Sequence, residues 1–451
     1  MSLYSQAINK RQKTTREINK NLDSNEFFPG MSRVDYRPDA GPEDTLCFRY
    51  YNASERIHGR TMEEWLRPSV SFSHAFCYMG TDLYGQPTFH RTWDDGSNSI
   101  ENYKRRLRAA FEFFSKLGNK YWTLYDQDIA PEGDTLEDTI HNLDEVTDLL
   151  LELQQRTGVK PLWISPNLHS HPRYRNGAVT SSEFQTVAFA GAQLKKGLEL
   201  AHKFGAECFL FRGIREGYTS VLNTDMPREL RNYSRLLKMT QDYKERLGYR
   251  GQLLLDSNCS SDNVNNYKSY NTPKYHYNWD AMSSLAFLKH HSLDRYYKLS
   301  VSPGHQFFMT SVYGMLGSLD ITSVTSPNIR DATLLMKTVI EQGGMQPGGL
   351  NIGVPLHRGS VDLKDLMVVY VNYIDIFARG LRNAAKIVSD GVFTKNLQQQ
   401  YLGFHTGFGS RLSNGEASLD DCDDQTRRHP GDMTTSSTGT EYWEAVFSHY
   451  I

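Results

Sequence analysis

The chain has 451 residues, a formal charge of -2 and five cysteines. That length can bury a large core and exceeds the usual single-domain size. The near-neutral charge gives no reason to expect nucleic-acid binding, and no apolar run is long enough to span a bilayer.

Residues 1–25 are polar, with Lys10, Arg11, Lys13, Arg16 and Lys20 against Glu17 and Asp23. They read as a solvated N-terminal extension, with docking to other proteins as the functional alternative. The N-terminus shows no secretory h-region, and the acidic and Asn residues do not suit a transit peptide. Cys47, Cys77, Cys208, Cys259 and Cys422 are scattered without Cys-x-x-Cys spacing, which suits reduced thiols. The expectation is an intracellular, cytoplasmic protein, with an organellar or cytoskeletal assembly as the alternative.

From about residue 70, strand-like and helix-like segments alternate. Val70–Phe76 is a short apolar run. Glu101–Gly118 carries Leu107, Ala110, Phe111, Phe114 and Leu117 at helical spacing. Strand Lys120–Tyr125 follows, then Asp134 and Glu137 as a helix N-cap box. The helix it opens shows Leu136, Ile140, Leu143, Val146, Leu149, Leu150 and Leu153 on one face. Strand Lys160–Ile164 and helix Phe184–Phe204 come next. Strand Glu207–Phe211 precedes a helix near Glu229–Leu247, and strand Gly251–Leu255 a helix near Asp280–Lys289. Strands Tyr297–Val301 and Gly317–Ile321, helix Ala332–Gln342, strand Gly348–Ile352 and helix Leu363–Ser389 complete the series. Eight strand candidates in regular β–α alternation predict an α/β fold, a closed (β/α)8 TIM barrel over 26–390. Residues 391–451 form a C-terminal arm. Its Ser413–Thr440 portion is poor in apolar residues, but Tyr442, Trp443, Val446, Phe447, Tyr450 and Ile451 close the chain with apolar character. An arm that docks, on a neighbouring subunit for example, is the natural expectation.

Several ordered stretches carry a family resemblance. They are Asp128-Ile-Ala-Pro-Glu-Gly-Asp-Thr-Leu136, Asn167-Leu-His-Ser-His-Pro172, Arg215-Glu-Gly-Tyr218, Leu222-Asn-Thr-Asp-Met226, Gly314-Met-Leu-Gly-Ser318, Gly348-Gly-Leu-Asn351 and Phe377-Ala-Arg-Gly-Leu381. With them, from about Phe27 to the C-terminus, the chain resembles the longer class of xylose isomerases. The resemblance implies a barrel with an embracing C-terminal arm, and a dimer or a tetramer of two tight dimers. It also implies interconversion of an aldose and a ketose. A His–Asp pair opens the sugar ring, and two divalent metals assist a hydride shift. Such a site needs several carboxylates, because hard cations take oxygen ligands.

Position by position, the chain departs from that pattern. The family's His-Asp-x-Asp is Tyr125-Asp126-Gln127-Asp128, so Asp128 stays and the His is lost. A tyrosine, with an ordinary pKa of about 10, is poorly poised as a base at neutral pH. Tyr125 is expected to pack at the barrel top with a solvated hydroxyl. Glu-Pro-Lys is Asp256-Ser257-Asn258: the carboxylate is one carbon shorter and the Lys charge is gone. Glu-x-x-His is Ser302-Pro303-Gly304-His305. Asp320 matches a metal-binding Asp, but the loop Ile321–Arg330 has no carboxylate, and a bridging Asp has become Gly353. The remaining metal-ligand candidates are Asp256, His305 and Asp320, read as ordinary polar residues. Pocket remnants are His74, beside Ser73 in place of a Trp, His169 in place of a Phe, His171, and Arg212 in place of a Trp.

The leading expectation is therefore a non-catalytic pseudoenzyme of this family, a structural or binding subunit with no cofactor. Two alternatives stand beside it. One is a rearranged aldose–ketose isomerase, an intramolecular oxidoreductase using Mg or Mn at Asp256, His305 and Asp320, with Tyr125 and Asp128 as acid and base. The other is a sugar or metabolite sensor in which Arg212 and His169 favour an anionic ligand.

Overall fold

The computed structural model describes residues 26–81, 85–257, 273–322, 328–429, 431 and 435–451. Eight strands close into a parallel barrel: β1 (Ser69–Ser71), β2 (Tyr121–Tyr125), β3 (Lys160–Ser165), β4 (Cys208–Phe211), β5 (Gln252–Asp256), β6 (Tyr297–Val301), β7 (Leu316–Ile321) and β8 (Leu350–Ile352). Each pairs with the next, and Asn351 opposite Ser69 with Ile352 opposite Val70 joins β8 back to β1. Closure leaves no unpaired sheet edge, and each parallel step needs a crossover, here a helix.

The crossover helices are α1 (Ile100–Leu117), α2 (Leu136–Thr157), α3 (Phe184–Lys203), α4 (Met226–Leu247), α5 (Ala281–His290), α6 (His305–Val312), α7 (Ile329–Gln342) and α8 (Leu363–Asp390). Local chemistry sets their ends. The Ser99 side chain caps α1 by accepting from Asn102 N, and Gly118 ends it at a φ of 78°. The face expected for α1, Leu107, Ala110, Phe111, Phe114 and Leu117, is buried. In α2 the face is narrower than expected: Leu143, Val146, Leu150 and Leu153 are buried, while Leu136, Ile140 and Leu149 are half-buried. The capping box lies one residue later than expected. Thr135 accepts from Asp138 N, and the Asp138 carboxylate takes Thr135 N, each at 3.1 Å. Thr135 and Asp138 have the same three-residue spacing as Asp134 and Glu137, so composition alone did not separate the two registers.

Two features were not anticipated. The segment after β6, for which no helix was expected, contains the helix α6. The apolar C-terminal residues pack on their own chain. After α9 (Val392–Gln400), α10 (Gly407–Ser413) and α11 (Leu419–Arg428), the last helix α12 (Thr440–Ser448) folds back. Its Trp443 and Phe447 rings lie 5.7 and 6.4 Å from Phe393, and Arg330 sits over Phe447. Part of the arm therefore docks on its own chain.

Among the described residues, Cys47, Cys77, Cys208 and Cys422 are free thiols, and no helix is long and apolar enough to cross a membrane. The N-terminal extension 1–25 and Asn258 lie outside the described residues.

Candidate functional site

Side chains alternate along a strand, so every second residue of each barrel strand faces the interior. The cross-barrel hydrogen bonds of Asn351 identify that set. Its Oδ1 accepts from Thr123 Oγ1 at 2.8 Å and from Ser69 Oγ at 3.2 Å, and its Nδ2 donates to Asp320 Oδ1 at 2.6 Å. The same alternation carries Tyr125, Arg212, Asp256, Ser302 and Gly353 to the C-terminal mouth, where barrel enzymes place their chemistry.

At the centre of the mouth is Arg212, directly after β4. Its Nε lies 3.0 Å from Asp256 Oδ2, its Nη2 bonds Asp320 Oδ2, and its Nη1 donates to the Tyr125 hydroxyl at 3.1 Å. The guanidinium carbon stands 5.5 Å from the centre of the Trp163 ring. The three charged side chains are only 11%, 5% and 2% exposed. Burial alone would depress the Arg212 pKa, but Asp256 and Asp320 more than offset it, and the guanidinium stays charged.

This arrangement corrects three expectations. Asp256 and Asp320 are not ordinary polar residues, because they are ion-paired to one cation. Arg212 is not open to an anionic ligand, because both carboxylates already occupy it. The Tyr125 hydroxyl is not solvated: the residue is buried, the hydroxyl accepts from Arg212, and burial pushes its pKa up to about 12. His305 does not join the pair. It is the exposed first residue of α6.

Asp128 sits on the other side of the mouth. Its Oδ2 accepts from Ser73 Oγ at 2.6 Å and from Tyr125 N at 2.8 Å, while Cys77 Sγ approaches Oδ1 at 3.8 Å. Burial raises its pKa to about 6, against the hydrogen bond from Ser73 that lowers it. Ser73 was noted only as a lost aromatic wall, and the structure makes it the partner of Asp128. His74 Nδ1 lies 2.8 Å from Ser71 Oγ, and burial holds the ring neutral, with its pKa down to about 4. His169 packs edge-on to Tyr125 at 5.2 Å, and burial, then Arg212 and Arg215, bring its pKa down to about 3. His171 is committed to a turn, since its Nδ1 accepts from Arg173 N and Nε at 3.0 Å.

A pair of divalent metals does not fit these residues. The guanidinium fills the space between the two carboxylates. A Cβ at Gly353 would lie 3.0 Å from His74 Nδ1, so an Asp there would have to move that ring. Among the described residues, no three His, Cys, Asp or Glu side chains converge as ligands. A cleft of about 1170 Å³ lies outside the barrel between α3 and α4, and none of the mouth residues lines it.

The pairing of Arg212 was within reach of the sequence. Arg212 continues the inward register of Leu210, and Asp256 and Asp320 are inward acids at the same end. What was missing was the span across the mouth.

No family model matches the chain. It is 36% identical over 444 residues to the xylose isomerase of Arabidopsis thaliana, covering 94% of this chain and 90% of that relative. It is 37% identical over 415 residues to the xylose isomerase of Caldicellulosiruptor bescii, with 87% and 92% covered, and 35% identical over 448 residues to that of Thermotoga maritima, with 94% and 98% covered. Among solved structures, an L-ribulose 3-epimerase aligns at a TM-score of 0.45 and 14% identity, covering 72% of this chain and 97% of that one. A likeness this weak does not bear on function.

Proposed function

The chain belongs to the xylose isomerase family, and we propose that within it this protein is a non-catalytic member, a pseudoenzyme serving as a structural or binding subunit. The observation that carries the reading is the Arg212 guanidinium between Asp256 and Asp320. The relatives in the comparison are named xylose isomerases, and the family's hydride shift needs a Lewis acid on the substrate oxygens. A guanidinium donates hydrogen bonds but has no open coordination position, and it holds its protons at any working pH. Tyr125, with its pKa pushed up to about 12, does not take a proton at neutral pH in place of the lost His.

One observation favours a second reading. Asp128, at about 6, is in the range of a general base. A rearranged isomerase would use that carboxylate, with Arg212 as the positive group facing substrate. Against it, Asp128 Oδ2 already takes two hydrogen bonds, from Ser73 and Tyr125 N. The test is conversion of D-xylose to D-xylulose, followed by NMR with millimolar Mg²⁺ or Mn²⁺, together with metal analysis of the purified protein. No turnover above the buffer background is expected. Sustained turnover abolished by Asp128→Asn would replace the first reading with the second.

A subunit role also needs an interface. No side chain of α9, α10 or α11 is fully buried within the chain, and Leu402, Phe404, Leu412 and Leu419 are exposed. Isolated helices this short are not stable in water without packing. We propose that a second copy of the chain covers this face. Leu402→Glu with Phe404→Glu should shift sedimentation toward the monomer. An unchanged oligomer, or a wild-type monomer, would remove the proposal.

A further inference from the structure

We propose that Arg212 is a built-in counter-cation: it stands where a metal's charge would be needed, makes folding of the mouth independent of divalent ions, and masks a cation-binding carboxylate pair. The inference rests on the reading that the mouth does not use the family's metals, and it fails by a different measurement.

Charge is the first argument. Asp256 closes β5 and Asp320 lies in β7, and β6 between them contributes only Ser300 and Ser302 at the inward positions. Two buried acids on one side of a barrel repel each other and lose their hydration. Such a pair persists in ionised form only with a cation between them. The mouth supplies that cation covalently, from β4.

Geometry is the second. Two groups of the guanidinium donate hydrogen bonds, to Asp320 and to the Tyr125 hydroxyl, and the third, Nε, lies 3.0 Å from Asp256 as an ion-pair contact. A fork with fixed, divergent donors can join three acceptors at separate strand ends, whereas the point charge of a lysine cannot. Space is the third argument. Serines at 300, 302 and 318 and a glycine at 353 leave room for the longest cationic side chain, and Trp163 supports it at 5.5 Å.

The mask follows from what Arg212 engages. Removing it exposes one oxygen of Asp256, one of Asp320 and the Tyr125 hydroxyl. These are hard oxygen ligands, a partial shell for a divalent ion that water would complete. Asp320 would stay oriented by Asn351 through its other oxygen, at 2.6 Å.

The test is thermal unfolding of the full chain in EDTA and in millimolar MnCl2, with bound Mn²⁺ counted by electron paramagnetic resonance. Three proteins are compared: wild type, Arg212→Met, and Arg212→Met combined with Asp256→Asn and Asp320→Asn. Wild type should melt at the same temperature in both buffers and bind no Mn²⁺ at the mouth. Arg212→Met should melt several degrees lower in EDTA, recover much of the loss with Mn²⁺ and bind one ion per chain. The triple variant should ignore Mn²⁺. A wild-type melting point that rises with Mn²⁺ overturns the counter-cation, and Arg212→Met indifferent to Mn²⁺ overturns the masked pair. If Arg212→Met does not fold, the triple variant should fold, because its buried charges are gone. A triple variant that also fails to fold would count against the inference. Xylose turnover by a wild type whose melting ignores Mn²⁺ would overturn the pseudoenzyme reading and leave the counter-cation standing.

Discussion

On the β1–β2 side of the barrel mouth, two buried titratable groups, Asp128 and His74, each meet a serine. Asp128 takes the hydroxyl of Ser73 at 2.6 Å, and His74 meets that of Ser71 at 2.8 Å. On the β5–β7 side, Asp256 and Asp320 share a full positive charge from Arg212. Both arrangements bury polar groups, yet they behave differently. A neutral donor compensates part of the desolvation of a carboxylate, so the group keeps a raised pKa and changes charge with pH. An ion pair compensates by opposite charge, and breaking it leaves a buried charge alone. One side should therefore answer to pH, and the other to loss of the cation.

The largest expected effect tests the ion-paired side. Arg212→Met should cost about 3–5 kcal/mol of unfolding free energy in urea titrations, the usual range for a buried ion pair with one partner removed. A loss within experimental error would mean the pair does not hold the mouth.

Next comes the pH-sensitive side. The Asp128 carboxyl is raised from its ordinary 3.8 to about 6. Folding therefore disfavours its ionised form above pH 6, by on the order of 3 kcal/mol, and the penalty is relieved as pH falls through 6 toward 3.8. Asp128→Asn should be more stable than wild type at alkaline pH by up to that amount. An amide oxygen can still accept from both Ser73 and Tyr125 N, which share Oδ2. The gain should shrink toward pH 4. A variant less stable than wild type at alkaline pH, or a gain independent of pH, would erase the distinction between the two sides.

A smaller effect belongs to Ser73. Ser73→Ala removes a hydrogen bond to a charged acceptor and should cost about 2 kcal/mol at alkaline pH. The loss should be smaller in acid, where Asp128 is protonated. Equal losses at both ends of the range would mean that the hydroxyl does not serve the charge.

The smallest is at His169, whose Nδ1 has no hydrogen-bond partner among the described residues. His169→Phe should stabilise by about 1 kcal/mol at neutral pH by removing a buried unpaired nitrogen. The imidazole pKa is lowered to about 3, so folding holds the ring neutral and wild type loses stability as pH falls below the unfolded value of 6.5. The variant should lack that part of the acid loss in melts between pH 7 and pH 5, and identical acid profiles would refute the assignment.

Much of the scaffold was legible because it is local. The spacing of Leu107, Phe111 and Phe114 defines the α1 face within one helix, and the apolar strands announce themselves within five or six residues. Helix α6 was not legible, since His305–Val312 is a single short stretch with weak amphipathic pattern beside a glycine. The docking of Trp443 and Phe447 against Phe393 was not legible either, since apolar character says that a segment is covered but not by what.

The mouth divides along the same line. Strand alternation, a property of the chain, determined that Tyr125, Arg212, Asp256, Asp320 and Gly353 lie at one end of the barrel, and the family resemblance implied that the metal-ligand pattern is broken there. Barrel closure decided which of them meet. Arg212 and Asp320 are 108 residues apart in sequence, on strands separated by two others. Only the curvature of the closed sheet brings the guanidinium across to a second carboxylate, and with it turns two separate acids and one cation into an ion-paired cluster.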